Sequence, residues 1–202
     1  MDIERYKKSL DDKLWRTKGA RFNAHRRLAR KQSLVVFVTS ASSIHLISLS
    51  IFQISGFFCL TELQSYLLSL TSIIVSIVIL VYGLIEGGKN YGLLSEVHHR
   101  CGLDIDRLYK QIFLSDTVYE LKKLSREYDN LLEKHSTNHN EIDDLYFQSC
   151  HPKEFPCLNY PKWVHFRFNY KDFSFAFLVV IIPIFISFWI TNNFWVELWN
   201  KI

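Results

Sequence analysis

The chain alternates between polar stretches and long runs without charge. Residues 33–61, 63–85 and 173–196 contain no Asp, Glu, Lys or Arg. An α-helix rising about 1.5 Å per residue needs roughly 20 apolar residues to cross a hydrocarbon layer of about 30 Å, and each run is longer than that. The pattern predicts spans at about 34–58, 66–85 and 173–191. A short link around Thr61-Glu62-Leu63-Gln64 joins the first two, which makes them an antiparallel hairpin. The first run is not a cleaved signal peptide. A long polar stretch precedes it, and it is about twice the roughly 7–15 residues of a signal core.

The polar stretches carry helical periodicity of their own. Ile3, Tyr6, Leu10, Leu14 and Trp15 recur at steps of three and four, an amphipathic helix with Gly19 as its weak point. That helix either packs on its polar neighbours or lies on the membrane surface. Gly87-Gly88 mark the end of the second span. Beyond them Leu94, Val97, Cys101, Ile105, Leu108 and Ile112 fall on one side of a helix. Ser115-Asp116, with Glu120 in the first turn, predicts the cap of another helix over 117–134. There Val118, Leu121, Leu124, Tyr128 and Leu131 make a coiled-coil-like seam, an oligomer seam if its partner is another subunit. The preceding helix and the N-terminal helix are the other candidate partners. Residues 135–162 hold three of the four prolines and read as a polar loop. Trp163 before the third span, and Trp189, Trp195 and Trp199 at its far end, read as interfacial anchors. Pro183 is tolerated inside a span, usually as a kink.

The expected organisation is an N-terminal basic amphipathic helix over 1–32, a two-span hairpin over 33–86 and a helical pair over 87–135. A polar loop over 136–172 and a third span with a short tail over 173–202 complete it. The fold class is all-α membrane protein: a transmembrane helical hairpin plus a third transmembrane helix, with cytoplasmic helices.

Charge gives the orientation. Of 24 Lys and Arg, 11 precede the first span, 12 lie between 86 and 172, and the last is Lys201. The positive-inside rule therefore places the N-terminus and residues 86–172 in the cytoplasm, and the Glu62 loop and C-terminal tail outside. Arg26, Arg27, Arg30 and Lys31 hold the start of the first span at the inner face and attract anionic head groups, at about 1 kcal/mol each. Cys101, Cys150 and Cys157 fall in the part read as cytoplasmic, where thiols stay reduced, and Cys59 lies near the outer end of the first span.

Candidate chemistry is sparse. On a helical wheel Thr39, Ser42, Ser43, Ser50 and Gln53 share one sector of the first span, and Ser69, Ser72, Ser76, Gly83 and Gly87 share one of the second. Such stripes either let helices pack closely or line a mildly polar pore in an oligomer. His45 is the one ionisable residue well inside a span, either bonded to a neighbouring helix or facing a pore. The spacing of His98, His99, Cys101, Cys150, His151 and Cys157 matches no structural zinc pattern. Arg100, Arg107 and Lys110 form either a solvated face or a grip for an anion such as a nucleotide. No phosphate loop, nucleophile elbow or His-Glu-x-x-His is present, so the chain reads as a non-enzyme with no cofactor.

The stretches "RFNAHRRLARKQ" before the first span and "YGLIEGGKNYGLLSEVHHRCGLDIDRLYKQI" after the second resemble the SLATT domain, over about 10–135. The third span resembles the longer members, including those found beside reverse transcriptases. The resemblance implies a membrane effector of a bacterial anti-phage conflict system in the inner membrane. Such an effector would oligomerise, form a pore and stop growth once a sensor partner, a reverse transcriptase or a nucleotide second messenger releases it. Membrane lipid is the other implied partner, and direct nucleic-acid binding is not expected. The rival expectation is a non-conducting membrane anchor whose cytoplasmic helices scaffold a partner.

Overall fold

The computed structural model describes residues 3–55, 60–135, 137–156 and 161–199, except the side chains of Phe175 and of residues 193–199. Its helices are α1 (Ile3–Ile54), α2 (Glu62–Gly87), α3 (Tyr91–Ile112), α4 (Val118–Lys134), α5 (Glu141–Ser149) and α6 (Pro161–Trp199). No strand occurs among the described residues. The protein is all-α, and stretches of α1, α2 and α6 are long and apolar enough to cross a membrane. Met1–Lys31 with Tyr91–Lys171 form one compact unit, here the polar unit. Gln32–Asn90 with Asp172–Ile202 form the other, here the span unit.

Several boundaries differ from the sequence expectation, among them α6, which begins at Pro161 inside the stretch read as a polar loop over 136–172, and α1, which ends at Ile54. The N-terminal helix and the first span are one helix, because no Gly or Pro lies between Gly19 and Ile54 to break it. Residues 135–162 are not simply a loop, since α5 lies inside them. Asn140 caps α5 and accepts from the Ile142 N–H (3.2 Å), while Asp143 accepts from the Asn140 N–H (3.1 Å), a reciprocal capping box. The cap of α4 also shifts. It is Thr117, boxed with Glu120, whereas buried Ser115 accepts from Lys7 Nζ through its carbonyl (2.9 Å). α2 ends at Gly87, and Asn90 takes a left-handed φ of 48° before α3 begins.

In the polar unit Leu10 and Leu14 of α1 pack with Cys101, Ile105, Leu108 and Ile112 of α3 and with Leu121, Leu124 and Tyr128 of α4. Leu131 packs against this core and Val118 is half-buried. The apolar seam of α4 is thus covered by α1 and α3 of the same chain. The Tyr128 hydroxyl hydrogen-bonds that of Thr17 (2.9 Å). Another face of α1 receives α5. Phe147 lies so close over Gly19 that a Cβ there would overlap its ring, and it meets Trp15 edge-on at 4.7 Å. The far side of α5 packs through Ile142, Leu145 and Tyr146 onto Val164 and Phe168 of α6. Gly19, read from sequence as a weak point, is the place where α5 docks.

In the span unit α1 and α2 pair as a hairpin. Thr39 Cγ2 would lie 3.7 Å from a Cβ built on Gly83. Gln53 Nε2 donates to the Ser65 carbonyl and the Ser69 hydroxyl, both at 3.4 Å. α6 closes on the pair through Leu49, Leu68 and Ile190. Two polar contacts accompany it: Gln64 Nε2 to the Ile190 carbonyl (3.4 Å) and His45 Nε2 with Ser187 Oγ (3.3 Å). His45 is thus bonded to a neighbouring helix. α6 continues through Pro183, and Ser187 Oγ donates to the Pro183 carbonyl (2.8 Å).

Candidate functional site

The hydroxyl stripes of the two hairpin helices come together. Thr39 approaches Gly83 and Gln53 reaches Ser69, so the stripes run antiparallel along one edge of the hairpin. Thr39, Gln53, Ser72 and Gly83 are half-buried at the helix contact, while Ser43, Ser50, Ser69 and Ser76 are exposed beside it. The face is therefore packed at its centre and open at its rim.

Each hydroxyl bonds its own helix. Thr39 donates to the Val35 carbonyl (3.0 Å), Ser43 to Thr39 (2.8 Å) and Ser50 to Leu46 (3.0 Å). On α2, Ser69 donates to Ser65 (2.9 Å), Ser72 to Leu68 (2.8 Å) and Ser76 to Ile73 (2.8 Å). Back-bonding of this kind satisfies a hydroxyl where no water is available. It also directs every proton inward, so the edge presents oxygen lone pairs. Such a row accepts from water, from a donor on a neighbouring helix or from a hydrated cation. Ser42, on the same sector of α1, differs: it is buried and its hydroxyl has no partner.

The polar unit holds a second cluster, between α1, α3 and α5. Asp143 is fully buried and takes a bidentate pair from Arg27 (2.7 and 2.9 Å). Its carbonyl accepts from Asn23 (3.1 Å). The next residue, Asp144, takes a bidentate pair from Arg16 (2.8 and 2.6 Å). Arg21, also buried, donates to His98 Nδ1 (3.2 Å) and to the Thr137 carbonyl. The bare Nδ1 puts the proton of neutral His98 on Nε2. Burial, and then the Arg21 charge, push the His98 pKa down to about 4. Burial lowers His139 as well. Burial raises Asp144, but the Arg16 hydrogen bond and charge outweigh it and hold its pKa low. This cluster fastens α5 to α1. Its sequence signal was the Asn140-x-x-Asp143 box, hidden in a stretch rich in Pro, Asn and His; Asp143, Asp144, Arg16 and Phe147 were missed.

The remaining candidates fall in varied settings. Arg26 is exposed. Arg27 pairs with Asp143, Arg30 donates to Asn169 (2.6 Å), and Lys31 lies over the Tyr91 ring at 4.9 Å. Three of the four cations read as boundary anchors therefore also brace the polar unit. Trp163 and Trp189 are exposed, whereas the side chain of Trp195 lies outside the described residues, as do Cys59 and Cys157. Arg100, Arg107 and Lys110 pair with Glu96, Asp104 and Asp106 of their own helix. Among the described residues no three His, Cys, Asp or Glu side chains gather as a metal site.

The family model of the SMODS and SLOG-associating 2TM effector domain family 5 matches residues 3–189. No curated protein and no solved structure matches the chain.

Proposed function

The chain belongs to the SMODS and SLOG-associating 2TM effector domain family 5, and from that premise we propose that it is a conflict-system effector that permeabilises the bacterial inner membrane as an oligomer. The N-terminus and the polar unit face the cytoplasm, where a sensor partner, a reverse transcriptase or a nucleotide signal triggers the change. Copies assemble along the open hydroxyl edge of the hairpin, which in the assembly borders a water-filled path. The exposed row of Ser43, Ser50, Ser69 and Ser76 carries this reading. It sets small polar groups side by side along one edge of a span surface that is mostly Ile, Leu, Val and Phe, with Ser40 and Ser48 exposed elsewhere on α1. Because the hydroxyls of Ser43, Ser50, Ser69 and Ser76 donate back into their own helices, the path is lined by acceptor oxygens and favours cations over anions.

The test is membrane potential and dye entry after induced expression in bacteria, with wild type beside Ser69→Leu/Ser76→Leu. Depolarisation by wild type alone, at equal membrane abundance, is the expected result. Depolarisation by both proteins would exclude the edge as the path. An intact potential in both, with the trigger co-expressed, would exclude permeabilisation.

The rival reading, a non-conducting scaffold, has one observation in its favour. Phe113, Leu114 and Tyr119 stand exposed around the α3–α4 turn, with Leu114 at 82%. Leu114→Ser/Tyr119→Ser would then abolish retention of a cytoplasmic partner while leaving the membrane potential as in wild type.

A further inference from the structure

The first three turns of α6 show an arrangement that neither the span unit nor the core of the polar unit uses. One side of this segment is fixed. Val164 and Phe168 are buried, the Tyr146 ring stacks on Phe168 at 3.8 Å, and Arg30 holds Asn169. The other side is bare: Trp163, Phe166 and Tyr170 are 52%, 61% and 59% exposed. At 100° per residue these three rings fall within a 60° sector, with Lys162 on one flank and Arg167 on the other. Both cations are exposed, and the Arg167 guanidinium lies over the Trp163 ring at 5.0 Å. The charge-free run begins at residue 173 of the same helix.

Rings flanked by cations, directly before a span, match the layer where acyl chains give way to head groups. We propose that this face of α6 is a binding surface for anionic phospholipid. Tyr170, nearest the charge-free run, would reach the acyl boundary, Trp163 and Phe166 would pack among the head groups, and Lys162 and Arg167 would hold the phosphates. A second copy of the chain fits less well. Copies inserted by one rule run parallel, and a parallel pair seated on this 3–4 spaced seam brings Lys162 of one copy against Arg167 of the next. Like charges would meet there, whereas an anionic surface satisfies both. The inference depends on α6 entering a membrane and not on permeabilisation, so failure of the pore reading leaves it standing.

Native mass spectrometry of the detergent-solubilised full chain tests it. The protein is titrated with phosphatidylglycerol, with phosphatidylcholine, and with phosphatidylglycerol in the presence of inorganic phosphate. Wild type should retain phosphatidylglycerol at least fivefold over phosphatidylcholine, with free phosphate competing poorly. Lys162→Gln/Arg167→Gln should lose that preference, at about fivefold per cation. Lys122→Gln/Arg126→Gln, which removes two exposed cations from α4, should keep it. A preference that survives Lys162→Gln/Arg167→Gln, or one that the α4 variant loses equally, overturns the proposal. Effective competition by inorganic phosphate overturns it too, since the site would then bind soluble anions rather than a bilayer. Circular dichroism of each variant identifies any loss that comes from unfolding, and in that case Phe166→Ser/Tyr170→Ser, which leaves the charge unchanged, gives the deciding titration.

Discussion

Asp143 is the residue on which the polar unit depends most for its charge balance. It is wholly buried, and Arg27 answers it with two hydrogen bonds. Removing one partner of such a pair leaves the other uncompensated, at about 3–5 kcal/mol. Asp143→Ala should therefore lower denaturant stability by that amount, and a double-mutant cycle with Arg27→Ala should show strong coupling. Gly19→Val should cost about 1–3 kcal/mol by forcing Phe147 off α1, seen as a lower thermal midpoint. Ser42→Ala should be neutral or slightly stabilising, because it removes a buried hydroxyl that bonds nothing. His98 sets a pH dependence. Its folded pKa of about 4 lies below the ordinary imidazole value of about 6.5, so the unfolded chain takes the proton first. Stability should fall as pH drops from about 6.5 towards about 4, by up to about 3 kcal/mol. His98→Asn keeps an acceptor for Arg21 and should flatten that part of a melting-temperature profile.

Among the elements, those with long uniform patterns were legible in the sequence. The charge-free runs 63–85 and 173–196 lie within α2 and α6, residues 33–54 of the first run lie within α1, and the 3–4 steps of Leu10, Leu14, Ile105, Leu108, Leu121 and Leu124 belong to one core. α5 was not legible. It has nine residues, and a helix that short owes its existence to tertiary contacts rather than to propensity. Those contacts join residues more than 110 positions apart, such as Arg27 with Asp143 and Arg16 with Asp144, and no local window holds both partners. The sequence also left the partner of the α4 seam open among three candidates, because a stripe states that it is covered and not by what. The hydroxyl stripes were visible as two sectors; that they share one edge follows only from the register of Thr39 on Gly83 and Gln53 on Ser69. At this scale, Asp143→Ala/Asp144→Ala should free α5 selectively. Limited proteolysis should then cut between 135 and 156 faster than in wild type, while helicity stays almost unchanged.

For the whole molecule, the core of the polar unit is assembled from separate parts of the chain. Leu10 and Leu14 cover the apolar faces of α3 and α4 from the far end of the sequence. A fragment of residues 86–172 lacks them and should self-associate through its uncovered Ile105 and Leu121, so its aggregation would say nothing about native assembly. Joining Met1–Lys31 to Tyr91–Lys171 by a short flexible linker should instead give a monomeric helical domain. The Lys31 ammonium lies over the Tyr91 ring at 4.9 Å, so the side chains at the two ends to be joined already meet. Size-exclusion chromatography with light scattering separates the two outcomes.

That discontinuity has a consequence for biosynthesis. The first turns of α1 leave the ribosome well before α3, α4 and α5 exist to meet them. At about 5–20 residues per second, the 81 residues from Tyr91 to Lys171 take roughly 4–16 s to make. During that interval the hairpin is already available to the insertion machinery, while the N-terminal residues have nothing to fold against. The polar unit can close only after the membrane hairpin has been made. A chain built in this order completes its polar unit after the hairpin and before the last span. Nascent chains arrested near residue 112 should leave Cys substituted at Leu14 open to thiol reagents, and chains arrested far enough past Lys171 to clear the ribosomal tunnel should shield it.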